Sequence, residues 1–221
     1  MTNIIDYLSG KKIIAVCGHY GAGKTNISVN LCLKLKYTLV DLDVVNPYFR
    51  SADSMAEMAA DGLECIVPEF ANTNVDIPAV PPGIYSIFAN TGRRAVIDLG
   101  GDAAGATVLG MFADKIKRES HEMVYVTNRY RSLTRDFEEA AALAKLIEEK
   151  SRLKISSVIN NSNIGALTTE KEILASMDYA KKISDLLKVP LLATTSMVDV
   201  DPSFAPEHNI FKIKNYTKQL F

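Results

Sequence analysis

Cys17-Gly18-His19-Tyr20-Gly21-Ala22-Gly23-Lys24-Thr25 decides how the rest of this 221-residue chain is read. The stretch contains G-x-x-x-x-G-K-T between an apolar run, Ile13–Cys17, and a segment whose apolar residues recur at helical spacing. That order is strand, glycine-rich loop, helix N-terminus, the setting in which the motif has a mechanism. Such a loop turns successive backbone N–H groups inward as a nest for phosphate oxygens, and the helix adds the positive end of its dipole. Gly18, His19, Tyr20, Gly21, Ala22, Gly23, Lys24, Thr25 and Asn26 are therefore expected to line a nucleoside triphosphate site. Lys24 would reach the outer phosphates, and the Thr25 hydroxyl would sit on a magnesium ion.

Outward from the loop, strands and helices alternate. Strands are expected at Lys12–Gly18, Thr38–Asp43, Leu63–Val67, Arg94–Leu99, Glu122–Thr127, Ile155–Ile159 and Pro190–Thr195. Several are continuously apolar, as central parallel strands are. Helices are expected at Thr25–Lys36, Ser51–Ala60, Ala103–Arg118, Thr134–Lys150 and Thr169–Leu187. The last of these opens on a capping-box pair, Thr169 and Glu172. Pro68–Asn90 is irregular, interrupted by Pro68, Pro78, Pro81 and Pro82, with a helical piece expected near Ile84–Phe88. The alternation calls for an α/β fold: a mostly parallel central sheet covered by helices on both faces, with ligands at the carboxyl ends of the strands.

Further polar signals fall on that same rim. Asp98 ends an apolar strand and opens D-x-x-G, so its carboxylate is expected to hold magnesium through water and the Gly101 amide to bond a terminal phosphate. No glutamate follows Asp98, so water activation must come from elsewhere. Asp41 and Asp43 stand two apart and would face one side of an extended strand. Asp43 is assigned to the attacking water and the metal shell, with Asp41 behind it. Asn160 and Asn161 end a later strand, and a carboxamide offers the donor and acceptor that suit the edge of adenine. The Asn-Lys-x-Asp pattern of guanine-specific proteins does not occur, which favours ATP over GTP.

G-H-Y-G-A-G-K-T, V-D-L-D, I-D-L-G-G and V-I-N-N together resemble the MinD/ParA-type ATPases, over about Lys12 to Thr195. The resemblance implies a single nucleotide-binding domain over residues 1–221 with the P-loop NTPase three-layer sandwich and seven or eight mostly parallel strands. It implies ATP with Mg2+ as ligands, and ATP-dependent homodimerisation. By matching motifs it gives Lys24 and Thr25 the phosphate and metal roles, Asp98 the second magnesium role and Asp43 the hydrolytic role. One departure stands out. Those proteins carry K-G-G-x-G-K-[ST], whose first lysine reaches the partner subunit's nucleotide, whereas this chain has His19 there and Tyr20 in place of a glycine. Arg50, Arg129, Arg131 and Arg135 are the candidates to supply that charge, within one subunit or across two.

The leading expectation is a slow magnesium-dependent ATPase working as a nucleotide-dependent switch with a protein or small-molecule partner. A small-molecule kinase or ATP-dependent ligase on the same scaffold, and a metal- or cluster-loading ATPase, are the alternatives. A formal net charge of -1 offers no bulk attraction for nucleic acid. No apolar run approaches the ~20 residues of a transmembrane helix, and Met1–Gly10 lacks the basic start and apolar core of a signal peptide, so a cytoplasmic protein is expected. Three cysteines without C-x-x-C spacing read as small buried hydrophobes. Phe211–Lys214 alternates like a strand, so the tail is expected to pack on the domain rather than form an interfacial helix.

Overall fold

A computed structural model describes residues 3–43, 59–68, 80–89, 92–101, 103–201 and 209–217. The candidate Arg50 and nearly all of the helix expected at Ser51–Ala60 lie outside these residues. The described strands are β1 (Ile13–Gly18), β2 (Thr38–Leu42), β3 (Cys65–Ile66), β4 (Ala95–Leu99), β5 (His121–Thr127), β6 (Ser157–Asn160), β7 (Leu191–Ser196) and β8 (Ile210–Lys212). They form one sheet in the order β3-β2-β4-β1-β5-β6-β7-β8. Every pairing is parallel. Each residue of β1, β2 and β4 is buried, which is why these strands carry no polar alternation.

The helices are α1 (Ile4–Ser9), α2 (Lys24–Leu35), α3 (Tyr85–Ala89), α4 (Ala103–Gly110), α5 (Ala113–Ile116), α6 (Phe137–Ser151) and α7 (Glu170–Leu187). Strand side chains point alternately to the two faces, and β1 shows how they divide. Ile13, Ala15 and Cys17 join Ala106, Leu109, Ala140, Ala144, Ile147, Ala180 and Ile183 of α4, α6 and α7 in one core. Ile14 and Val16 join Ile4 and Leu8 of α1 and Ile27, Leu31 and Cys32 of α2 in the other. The sheet is thus the middle layer of three, as the alternation of elements predicts.

Three local features differ from the sequence reading or add to it. The single helix expected at Ala103–Arg118 is two, because the N–H groups of Met111 and Phe112 tighten onto Val108 and Leu109 in i−3 bonds. The break falls after Gly110, where a Cβ would stand 2.7 Å from the Lys150 carbonyl oxygen. It also turns Phe112 inward, edge-on to Tyr85 and stacked with Phe88. The short α1 has no counterpart in the reading: Asn3 accepts the Ile5 N–H at 2.8 Å as its cap, and Ile4 and Leu8, one turn apart, are buried. The tail does run as a strand. Beyond β8 it lies along α2, where Asn30 bonds both backbone groups of Lys214, and Asn26 accepts the Tyr216 N–H at 2.8 Å.

Candidate functional site

The carboxyl end of β1 lies between β4 and β5, where successive connections leave in opposite directions. Crevices in open α/β sheets form at such points. Register sets the site's depth. Val16 of β1 and Asp41 of β2 both pair with Asp98 of β4, and Gly18 pairs with Val126 of β5.

The loop after β1 can take its path because of two glycines in particular. Gly18 has φ +146°, and a Cβ on it would stand 2.2 Å from the Val126 carbonyl oxygen, a backbone atom that cannot swing aside. Gly23, at φ +87°, is the residue that caps the start of α2, and a Cβ there would meet the Asn161 amide nitrogen at 2.2 Å. Gly18→Ala is expected to cost about 3–5 kcal/mol, the sum of a strained dihedral and a forced contact. Denaturant unfolding checks this, and a loss below about 1 kcal/mol would contradict the close approach of β1 to β5.

Within the loop Lys24, a residue 7% exposed, donates from its ammonium to the His19 carbonyl at 3.1 Å. The Ala22 N–H also bonds that carbonyl, and the His19 ring nitrogen Nδ1 lies 2.7 Å from the Tyr20 carbonyl oxygen. Tyr20 itself is exposed. Gly101 presses on this loop from β4's side: a Cβ on it would stand 2.5 Å from Tyr20 Cα and 2.9 Å from Lys24 Nζ. The D-x-x-G turn and the glycine loop therefore touch.

Beneath them sits Asp98, buried, with Thr25 Oγ1 donating to one oxygen at 2.7 Å and Ser28 Oγ to the other at 3.0 Å. Burial pushes its pKa up to about 6, against the pull of the Thr25 bond and the Lys24 charge. Asp41, across the ladder, accepts the Asp43 N–H at 2.9 Å on one oxygen, and its other oxygen is buried with no hydrogen-bond partner among the described residues. Burial, and then the nearby Asp98 charge, hold the Asp41 carboxyl well above the usual range. β2 ends at Leu42, so Asp43 lies one residue beyond the strand that holds Asp41. Asp41 is buried in the sheet, while the half-buried Asp43 lies outside it, with its carboxylate against Gly100. The Thr25 hydroxyl and the Asp98 carboxylate are adjacent hard oxygens, a donor set that fits magnesium, with phosphate and water completing the shell. The described residues hold no group of three or more His, Cys, Asp or Glu that could hold a metal ion by themselves.

The asparagines and arginines divide differently from expectation. Asn160 is fully buried: its amide nitrogen bonds Ser176 and Thr194, and its oxygen accepts from Ser162. Asn161 donates to the Ala22 carbonyl at 2.8 Å and accepts from Thr195, so it clamps the glycine loop to β7. Neither carboxamide is presented to a base; the reading saw their polarity but not their direction. Asn26 likewise turns its side chain to the tail. Arg129 is spent on the Ala175 carbonyl, Arg135 is exposed, and Arg131 lies beside Gly21. Ser28 escaped the sequence reading, although Thr25-x-x-Ser28 places two hydroxyls on one helical face, which was its signal.

A scan against protein-family models gives no match, and a search of curated proteins gives none either. Solved structures do match. Cell division protein FtsY from Thermotoga maritima aligns at TM-score 0.54 and 16% identity, covering 84% of this chain and 61% of that one. The signal recognition particle 54 kDa protein from Aeropyrum pernix, in complex with GDP, aligns at 0.53 and 15%, covering 84% and 41%. Signal recognition particle receptor FtsY from Elizabethkingia anophelis, also with GDP, aligns at 0.52 and 17%, covering 94% and 61%. The chain has the P-loop NTPase fold. It spans 41–61% of the length of these structures. No helix among the described residues is long and apolar enough to cross a membrane.

Proposed function

We propose that this chain is a magnesium-dependent ATP-binding switch of the MinD/ParA type that hydrolyses its nucleotide slowly. The observation that carries the reading is the Thr25–Asp98 bond at the foot of a glycine loop, with Lys24 curled over the loop from above. Loop amides and the N-terminus of α2 receive the phosphate chain, and the Lys24 ammonium leaves the His19 carbonyl for it. Magnesium would be held by the Thr25 hydroxyl and, through water, the Asp98 carboxylate, and would screen the phosphate charge. Asp43, at the edge of the crevice, orients the attacking water. Gly101, packed on Tyr20 and Lys24, reports the terminal phosphate through its amide, so the turn after β4 changes with nucleotide state.

The preference for ATP rests on the exit of β6. Guanine presents adjacent N–H donors that call for a carboxylate, and Asn160–Thr168 contains none. Equilibrium binding of magnesium-ATP and magnesium-GTP tests this, with size-exclusion profiles in a non-hydrolysable ATP analogue reporting homodimerisation. ATP is expected to bind at least ten-fold tighter, on the order of 1.4 kcal/mol. Equal or reversed affinities overturn the choice of base; failure to bind either nucleotide overturns the proposal.

A further inference from the structure

The turn after β5 sets an arginine against the glycine loop. Asn128 builds this turn: its side-chain oxygen accepts the Tyr130 N–H at 3.0 Å, and its backbone carbonyl accepts the Arg131 N–H and the Thr134 hydroxyl. The Arg131 carbonyl in turn accepts the Thr134 N–H at 3.1 Å, so the arginine's backbone is held on both sides. Its side chain then runs along Gly21. A Cβ built on that glycine would lie 3.3 Å from Arg131 Nε, 3.5 Å from Cδ and 3.6 Å from Cζ. Arg131 Nε is buried and has no hydrogen-bond partner among the described residues.

A buried guanidinium donor without an acceptor is costly, and natural structures keep few of them. Here the donor lies against the glycine loop, which the proposed function reads as a phosphate site. A guanidinium offers a rigid fork of donors that matches two oxygens of a phosphate at once. The neighbouring arginines are placed otherwise: Arg129 donates to the Ala175 carbonyl and lies over the Tyr130 ring, and Arg135 is exposed beyond the turn. We infer that Arg131 is an anion-binding residue of the glycine loop, contacting the phosphate chain of the nucleotide bound to the same subunit. It thereby supplies in cis the positive charge that His19 does not. The inference rests on the reading of this loop as a phosphate site, and names the second cation of that site.

The test compares the full chain with Arg131→Met, Arg131→Lys and Lys24→Ala. The probes are magnesium tripolyphosphate, which has no base, and magnesium β,γ-imido-ATP. Methionine keeps an unbranched apolar stem against Gly21 but removes the donors. Arg131→Met is expected to bind both probes at least ten-fold more weakly, with a shallower dependence of affinity on salt. Its ligand-free unfolding midpoint stays within about 2 °C of wild type. Arg131→Lys recovers part of the affinity, and the loss is the same at low and high protein concentration. Binding by Arg131→Met within two-fold of wild type overturns the inference, while a loss in Lys24→Ala beside it leaves the phosphate-site reading standing. Normal binding by Lys24→Ala as well overturns that reading itself. Should Arg131→Met fail to fold, Arg131→Gln is measured against the same two-fold limit. A loss seen only at high protein concentration also overturns the inference, because it places the contact across two subunits.

Discussion

Lys24→Ala is expected to weaken nucleotide binding a hundred-fold or more while leaving the protein folded. The Lys24 residue is 7% exposed and its ammonium rests on the His19 carbonyl, so the side chain is already largely withdrawn from water and held at the loop. A charge-assisted bond to phosphate in that setting lies at the strong end of the range, and a hundred-fold corresponds to about 2.8 kcal/mol. Stability moves the other way. Lys24 is the first residue of α2, where a cation opposes the helix dipole, and burying its ammonium costs solvation in the folded state. Alanine removes both terms and is a better helix former. The ligand-free variant should therefore unfold at the same denaturant concentration as wild type or slightly higher, by up to about 1 kcal/mol. Thermal shift with and without magnesium-ATP, backed by calorimetric titration, reads both quantities. Retained affinity would sink the phosphate-loop assignment, and a large loss of stability would mean that Lys24 holds the loop together rather than its ligand.

The parts of this site that were legible in the sequence are those whose signal is local. The buried run Ile13–Cys17, the glycines at fixed offsets and the Asp98-x-x-Gly101 spacing each carry their own geometry, and the sheet brings them together as expected. The parts that were not legible depend on which way a side chain turns after the backbone has been placed. Asn160 and Asn161 stand where a base reader would stand, yet the neighbouring β7 supplies Thr194 and Thr195, and polar groups buried at a strand junction satisfy one another first. Asn26 follows Thr25 in the motif, but the tail, 190 residues further on, captures its carboxamide. Arg131 is one of four candidate arginines that sequence alone cannot rank; among the three in the described residues, the Asn128 turn decides which meets Gly21. The break after Gly110 escaped for the same reason, since the Lys150 carbonyl that demands a glycine arrives from another helix.

Asp98→Asn is expected to separate stability from function. Burial lifts the Asp98 carboxyl from the ordinary 3.8 to about 6, so the folded state holds this proton more tightly than the unfolded chain does. The sign follows from linkage: the wild type loses stability as pH rises from about 4 to about 6, a loss of about 3 kcal/mol in all, and the term is flat above that. Asparagine is isosteric and neutral, and the Thr25 and Ser28 hydroxyls can rotate to serve its oxygen and its amide. Ligand-free Asp98→Asn should match the wild type near pH 4 and exceed it by about 1–3 kcal/mol at pH 7. Asp41 adds to the gap. The Asp98 charge is the second cause of its raised pKa, so removing that charge lets Asp41 ionise at less cost. Function runs against this gain. The variant keeps the loop and Lys24 but loses the carboxylate beside the Thr25 hydroxyl, so added magnesium should no longer tighten nucleotide binding. Denaturant midpoints at pH 4.5, 6 and 7.5, with nucleotide titrations in magnesium and in a chelator, distinguish the outcomes. A stability difference that does not widen with pH would mean that Asp98 is not the buried charge the fold tolerates for its ligand. Unchanged stimulation by magnesium would mean that the metal is held elsewhere.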